Sequence, residues 1–410
     1  MDDRPRNLRT MLSEAKDTSE LMVDLAYAAV YFGDLQMAEE VDDLEDRLND
    51  LVHDMRAVCV IAARSPREAD AMSSVLAVIS AIERIGSAAV DIARIVQHRL
   101  GIPRELVADL SEADEVAHRV LLREGSHFAH RPLADFELPV AVGMRVVAIH
   151  RGRDWITDVG GDEILLPGDV LFLHGSPAGI PRLRQLAGAD LWTPPQPPVE
   201  VVTTDLDRAI DTLVEMKNLS MAAVGLAWSA LVLRDAGLAA EVGHLEDRLD
   251  EMKERLETWV LRSSAESIDP SPLRGLLHLA EAAEDLGDAA QQMVWLVEKQ
   301  EEVHPILSIA LGDADEVVVR MPIGEGSPLD GRSLAEQRLD IDPGFHVLAI
   351  RRGGRYVYRP KGQERLRAGD ELIASGPGEG EALLAELCGW VLVEDDETGE
   401  DRLEPVSADA

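Results

Sequence analysis

Glu284 and Asp288 stand one helical turn apart, a spacing that sets two carboxylates on one helix face where a hard or borderline cation could bridge them. At the positions 201 residues earlier the chain has Glu83 and Ser87, so the second carboxylate is missing there. The same spacing recurs at Glu20/Asp24, Glu39/Asp43, Glu246/Asp250 and Glu281/Asp285, as an acidic helical chain produces without any ligand, and a solvated helix face is the competing reading. Arg151 and Arg352 are candidates of another kind. Each follows an apolar run, Arg145 to Ile149 or His346 to Ile350, and opens a basic-glycine turn, where a fixed guanidinium could hold a phosphate bidentately or simply finish a hairpin. His118, His127, His130, His150 and His174 fall close together in the chain, but the matching positions are Val319, Pro328, Gly331, Arg351 and Ser375, which excludes a repeated histidine metal site. No Ser-His-Asp or Cys-His arrangement recurs, and Cys59 and Cys388 lack CxxC spacing, so neither catalysis nor structural zinc has a constellation to rest on. The chain is not expected to be an enzyme.

These residues are positioned by a duplication. An ungapped offset of 201 carries Leu44-Glu45-Asp46-Arg47-Leu48 onto Leu245-Glu246-Asp247-Arg248-Leu249, Gly125-Ser126 onto Gly326-Ser327, and Gly168-Asp169 onto Gly369-Asp370. Each copy opens with three segments of 3,4-spaced apolar residues, which predict an up-down-up helical bundle, and then changes to the short apolar runs and glycine turns of strands. The expected fold is α+β: two repeated modules, each a three-helix bundle followed by a small β-α-β-β-β unit with a closing helix. The expected bounds are 1–112 and 200–312 for the bundles and 113–192 and 313–393 for the β-units. A proline-rich linker, 193–199, separates the copies, and 394–410 reads as an acidic, disordered tail. A duplicated chain can make within itself the two-fold arrangement that other proteins reach by dimerising, so the β-units are expected to pair, in one chain or across a homodimer.

The balance of 40 basic against 77 acidic residues, a net charge of −37, sets a field against which DNA, RNA or an anionic lipid surface would have to bind, and nucleic acid is excluded as a partner. Lysine occurs only at 16, 217, 253, 299 and 361. Strong acidity with so little lysine points to a halophilic source, where salt screens the self-repulsion. Met1-Asp2-Asp3-Arg4-Pro5 has none of the apolar character of a secretory leader, and the apolar stretch Met221 to Leu233 is interrupted by Ser229 and reads as a buried helix, so a cytoplasmic location is expected.

The β-units carry Glu124-Gly125-Ser126, Arg131-Pro132-Leu133, Leu166-Pro167-Gly168-Asp169 and Gly175-Ser176-Pro177, with Glu325-Gly326-Ser327-Pro328-Leu329, Gly331-Arg332-Ser333-Leu334 and Ala368-Gly369-Asp370-Glu371-Leu372 in the second copy. In this order they closely resemble the TrkA C-terminal (RCK-C) domain. The helical segments, through Ile82-Glu83-Arg84-Ile85-Gly86-Ser87, resemble half of a PhoU domain. The resemblance implies a regulator of a membrane cation transporter or channel, potassium foremost, with magnesium transport or a metal-binding adaptor in phosphate uptake as alternatives. It also implies a small ligand in the cleft between paired β-units: an anion such as cyclic di-AMP, held by Arg151 or Arg352 beside Val147, Ile149, Leu348 and Ile350, or a cation. Through the PhoU resemblance, Glu284 and Asp288 are the implied metal pair. The nucleotide-binding Rossmann domain that usually precedes RCK-C is absent: Gly376-Pro377-Gly378-Glu379-Gly380 has the wrong spacing, so NAD or ATP control has no site.

Overall fold

The computed structural model describes residues 7–406, apart from 112, 158, 191, 193–203, 265–269, 300–303 and 395–400. The proline-rich linker therefore lies outside the described residues. Copy one forms α1 (Leu8–Phe32), α2 (Leu35–Ala62) and α3 (Pro66–Gln97), then a short α4 (Arg104–Leu110). Local chemistry sets these bounds. Asp34 accepts from the backbone N–H groups of Gln36 and Met37 to start α2, and Ser65 with Pro66 at the first helical position starts α3. The β-unit follows as β1 (Val116–Leu121), a 3-10 turn at Leu133–Phe136, α5 (Leu138–Val142), β2 (Met144–Arg151), β3 (Asp154–Ile156), β4 (Val170–Gly175) and α6 (Ile180–Ala187). Copy two repeats the plan with α7 (Asp205–Leu233), α8 (Ala236–Ser264), α9 (Ser271–Glu298), α10 (Pro305–Leu311), β5 (Glu316–Pro322), α11 (Leu334–Gln337), β6 (His346–Arg352), β7 (Arg355–Tyr358), β8 (Glu371–Pro377) and α12 (Glu381–Leu387).

Both β-units are antiparallel sheets, ordered β1-β4-β2-β3 and β5-β8-β6-β7. Each has a bulge at the same place, where the pairing register shifts between Val146 and Ala148 and between Val347 and Ala349. The acidic tail departs from expectation. Two further strands, β9 (Trp390–Glu394) and β10 (Asp401–Pro405), form a hairpin-like pair. Trp390, Leu392 and Leu403 pack on the second β-unit's core, so alternation of single apolar residues with charges outweighs the acidic composition.

The two bundles do not stand apart. They share one core from α1–α3 and α7–α9 that also takes in Val147, Ala148, Phe172, Leu348, Ala349 and Ile373 from the β-units. α3 packs along α9, and each connector crosses to the other copy, α4 onto α7 and α10 onto α1. Inside each bundle, Gly86 and Gly287 allow close approach of neighbouring helices: a Cβ on either would come within 2.5 Å of Leu48 or Leu249. α7 is the one described helix long and apolar enough to cross a membrane, and its apolar residues from Ile210 to Leu231 lie in this shared core.

The β-units also meet within the chain. Gly143 and Gly344 occupy matching positions with φ of +61° and +85°, and a Cβ would lie 2.0 Å from the Asp340 carbonyl and 2.2 Å from the Pro139 carbonyl respectively. Glycine is required there twice over, by conformation and by space. Ser176 donates to the Asp340 carboxylate at 2.7 Å across the same contact. The expected pairing of the strand-rich units is thus made intramolecularly, around a pseudo-two-fold axis.

Candidate functional site

The two arginines that resemblance assigns to a ligand are engaged inside their own β-units. At the end of β2, Arg151 donates through Nε and Nη2 to the Asp169 carboxylate at 2.9 and 2.8 Å, through Nη1 to Glu163 at 2.8 Å, and through Nη2 to the Ile164 carbonyl at 2.8 Å. Arg352 repeats this with Asp370, Glu364 and the Arg365 carbonyl. Each aspartate is almost fully buried and also accepts a backbone N–H, from Leu166 or Arg367. The hydrogen bond to the aspartate is the main reason each guanidinium is held well above its ordinary pKa. The recurring Gly-Asp and Arg-Gly motifs are therefore two halves of one clasp that fixes the loop before β4 or β8 to the end of β2 or β6. A phosphate at either arginine would have to displace two carboxylates.

The expected cleft residues are placed elsewhere as well. Val147 and Leu348 are the extra residues of the two bulges and turn toward the helical bundle, while Ile149 and Ile350 lie in the separate cores of their β-units. Residues two apart on one strand thus join different cores, because the bulge reverses which face each side chain joins. The acidic pair is likewise divided. Glu284 accepts from Lys253 at 2.8 Å, and Asp288 accepts from Arg84 of the other copy at 2.6 Å. Among the described residues no group of three acids, histidines or cysteines could hold a metal ion. The histidines are dispersed: His118 is buried against Arg184, its pKa pushed down to about 4 by burial and then by that cation, whereas His150 lies against Trp155 and His127 against Phe136.

What the structure does concentrate is a buried set of charges where α1, α7 and both β-units converge. On α1, Lys16, Glu20 and Asp24 form an i, i+4, i+8 stripe that faces inward, contrary to the solvated-face reading of Glu20/Asp24. Lys16 is 3% exposed and its Nζ is 2.7 Å from Glu20. Asp24, 2% exposed, accepts from Arg145 of β2 and lies 3.1 Å from Nδ1 of His174 of β4. Arg145 also reaches Glu316 of β5, at 3.6 Å, and Asp17 accepts the Asp315 backbone N–H at 3.1 Å. The junction thus ties α1 to both copies' β-units. Across the axis, Lys217 donates to the Glu115 carbonyl at 2.9 Å. The two lysines also exchange aromatic neighbours, Lys16 lying 5.9 Å from the Trp228 ring and Lys217 5.4 Å from the Tyr27 ring.

These groups respond differently to burial. For Asp24 the desolvation that would raise its pKa is outweighed by His174 and Arg145, so the carboxyl is held far below the usual range. For Glu20 burial wins over Lys16, with Glu316 adding repulsion, and its pKa is pushed up to about 7. Asp17 rises to about 6, also chiefly through burial. Lys16 is held charged despite its burial because Glu20, Glu316 and Asp17 surround it, whereas burial lowers Lys217. The repeat comparison carried a signal for this site: Lys16, Glu20 and Asp24 match Lys217, Met221 and Gly225, so the lysine recurs while its two acids do not.

The described residues form two helical bundles and two small antiparallel β-units that meet within one chain. The sequence matches the TrkA-C domain family over residues 117–188 and 318–389 and the PhoU domain family over 12–96 and 213–297. The chain is a tandem PhoU and TrkA-C domain protein. Among solved structures it is similar to PhoU from Pseudomonas aeruginosa, at 16% identity over 71% of this chain and 93% of that one, with a TM-score of 0.37. It is also similar to the GsuK channel bound to NAD, at 14% identity over 78% of this chain and 65% of that one, TM-score 0.17. The GsuK RCK domain matches at 14% identity over 78% of each chain, TM-score 0.18. No curated protein matches the chain.

Proposed function

We propose that this protein is a cytoplasmic regulatory subunit that controls a membrane cation transporter or channel, with potassium as the transported ion. TrkA-C and PhoU are regulatory domain families, and TrkA-C domains serve channels and transporters. The observation that carries the reading is the docking of a TrkA-C pair onto one helical core formed by both PhoU units, so that a change in the pair is felt by the whole bundle. A regulator needs two arrangements of its parts and a ligand or partner that favours one of them. The acidic pair Glu284/Asp288, neutralised by Lys253 and Arg84, lends no support to a metal-dependent phosphate adaptor.

Deletion of the gene, followed by uptake of rubidium, magnesium and phosphate in the source cells, separates the readings. Loss or deregulation of rubidium uptake alone is the expected result. A change confined to phosphate or to magnesium would replace potassium by that ion. Calorimetric titration of the full chain with cyclic di-AMP tests the ligand implied by resemblance, and Arg151→Ala or Arg352→Ala tests whether the clasp opens to receive it.

A further inference from the structure

At the ends of the β-units opposite to their mutual contact, two matching loops share a backbone and differ in three side chains. β1 and β4 pair from Val116 with Gly175, near that contact, to Leu121 with Val170, beside these loops. In copy one the N–H groups of Ser126, Ala129 and His130 donate to the carbonyls of Arg123, Ser126 and Leu165, and in copy two those of Ser327, Asp330 and Gly331 donate to Gly324, Ser327 and Leu366. The Asp330 carboxylate then closes the copy-two loop, accepting the Gly326 N–H at 3.2 Å and the Ala368 N–H at 3.0 Å. Copy one has Ala129 in place of Asp330, His130 in place of Gly331 and Pro167 in place of Ala368.

The position of that carboxylate is open in copy one. Gly125, Ala129 and His130, with Leu166 and Pro167, line a recess of about 640 Å³. The Gly125 N–H, whose counterpart is held by Asp330, has no hydrogen-bond partner among the described residues, and neither has the His130 ring. His130 sits at a φ of +63°, where copy two has Gly331 at +78°, so the chain accepts a left-handed backbone in order to keep an imidazole at the recess. Pro167 has no N–H to give, and the imidazole N–H is the group left to replace the donor that Ala368 supplies in copy two. Glu124, which also lines the recess, matches Glu325, the neighbour of Gly326, so a carboxylate close to this glutamate is already accommodated in copy two. The net charge of −37 favours a singly charged anion over a multiply charged one.

We propose that this recess is a seat for the carboxylate of a small monocarboxylate ligand, which takes in copy one the place that Asp330 takes in copy two. The Gly125 N–H and the His130 ring donate to its oxygens, and Leu166 and Pro167 face its apolar part. Bound there, the ligand ties the loop after β1 to the loop before β4, whose Asp169 is clasped by Arg151, as Asp330 ties the matching loops of copy two. The seat stands independently of which transporter the protein serves.

The test follows the amide resonances of Gly125 and Gly326 in the ¹⁵N-labelled full chain while acetate replaces chloride at constant ionic strength, so that screening does not change. In the wild type Gly125 is expected to shift saturably and Gly326 to stay in place. Ala129→Asp supplies the carboxylate from within and should abolish the Gly125 response, whereas Asp330→Ala empties the copy-two position and should give Gly326 a saturable response of its own. His130→Gly restores the glycine of copy two and should weaken acetate binding at least about tenfold, the effect of one hydrogen bond to a charged group. It carries the test if Ala129→Asp fails to fold. The absence of a saturable shift at Gly125, an equal shift at Gly326 in the wild type, or a response that survives unchanged in folded Ala129→Asp or in His130→Gly overturns the proposal.

Discussion

The two joints between bundle and β-unit use opposite ends for their polar contacts. In copy one the inner end, near the axis, is ionic (Lys16, Glu20, Asp24, Arg145, His174), and the outer end is aromatic: Phe32 packs edge-on against Phe172, Trp155 lies on Phe172, and Arg119 sits 4.9 Å from the Phe32 ring. In copy two the inner end carries fewer charges, Lys217 donating to the Glu115 carbonyl while Leu348 nests against Gly225. Its outer end is polar, Asp235 accepting from Arg320 at 2.7 Å and from Tyr356, and the Gly237 carbonyl accepting from Tyr358 at 2.8 Å. One duplicated surface has thus been solved twice with the denser polar contacts at opposite ends. A symmetric homodimer could not do this, because both its joints must carry the same residues. The same freedom is visible where α3 meets α9: Arg84 and Asp285 are matching positions, and Arg84 lies 3.7 Å from Asp285 and 2.6 Å from Asp288.

The sharpest test of the difference is Asp24→Ala. It removes a buried carboxylate from the partly buried Arg145 guanidinium and from His174, and is expected to destabilise by up to about 3–5 kcal/mol in denaturant titration. Because Asp24 is depressed in the fold, its contribution is present above the ordinary carboxylate pKa and disappears as pH falls through the lower folded value, so the wild-type advantage over Asp24→Ala should shrink in strong acid. Gly344→Ala forces a Cβ into the Pro139 carbonyl at a positive φ and should cost about 1–3 kcal/mol, mainly by prising the β-units apart. Asp235→Ala removes charged hydrogen bonds from a less buried site, 15% exposed, and is expected to cost about 1.5–3 kcal/mol at most, less than Asp24→Ala. An equal loss at both aspartates would dissolve the contrast between joints. Arg84→Ala acts on a half-exposed pair and should cost about 0.2–1 kcal/mol, declining further in high salt. Against that local decline, a net charge of −37 predicts that the whole protein melts higher in molar than in millimolar potassium chloride.

Much of the architecture was legible in the chain because it is local or repeated. The offset of 201, the 3,4 apolar seams and the glycine turns located the helices, the hairpins after Arg151 and Arg352, and the short helical turns at Pro132 to Phe136 and Ser333 to Gln337. The clasp and the junction were not legible, since both depend on residues distant in sequence. Arg151 looked free until Asp169 and Glu163 were brought to it by the return of the chain into β4, and Glu20/Asp24 looked solvated because nothing near them predicts that β2, β4 and β5 will cover α1. Val147 and Leu348, which resemblance assigned to a cleft, are bulge residues turned toward the helical core, and nothing local in the sequence marks a bulge. The tail's β9–β10 pair was hidden by its charge.

Everything in this comparison requires that the two TrkA-C units meet inside one chain. Ser176 and Asp340 lie across that contact, 2.7 Å apart, and Cys59 and Cys388 are buried, so a Ser176→Cys/Asp340→Cys protein can be oxidised and its mass read under denaturing, non-reducing conditions. An intramolecular pair gives a single-chain product carrying an internal disulfide, in a yield independent of protein concentration. A product formed only as covalent dimers, rising with concentration, would mean that the TrkA-C units pair between chains and that the internal two-fold is not the form the protein takes in solution.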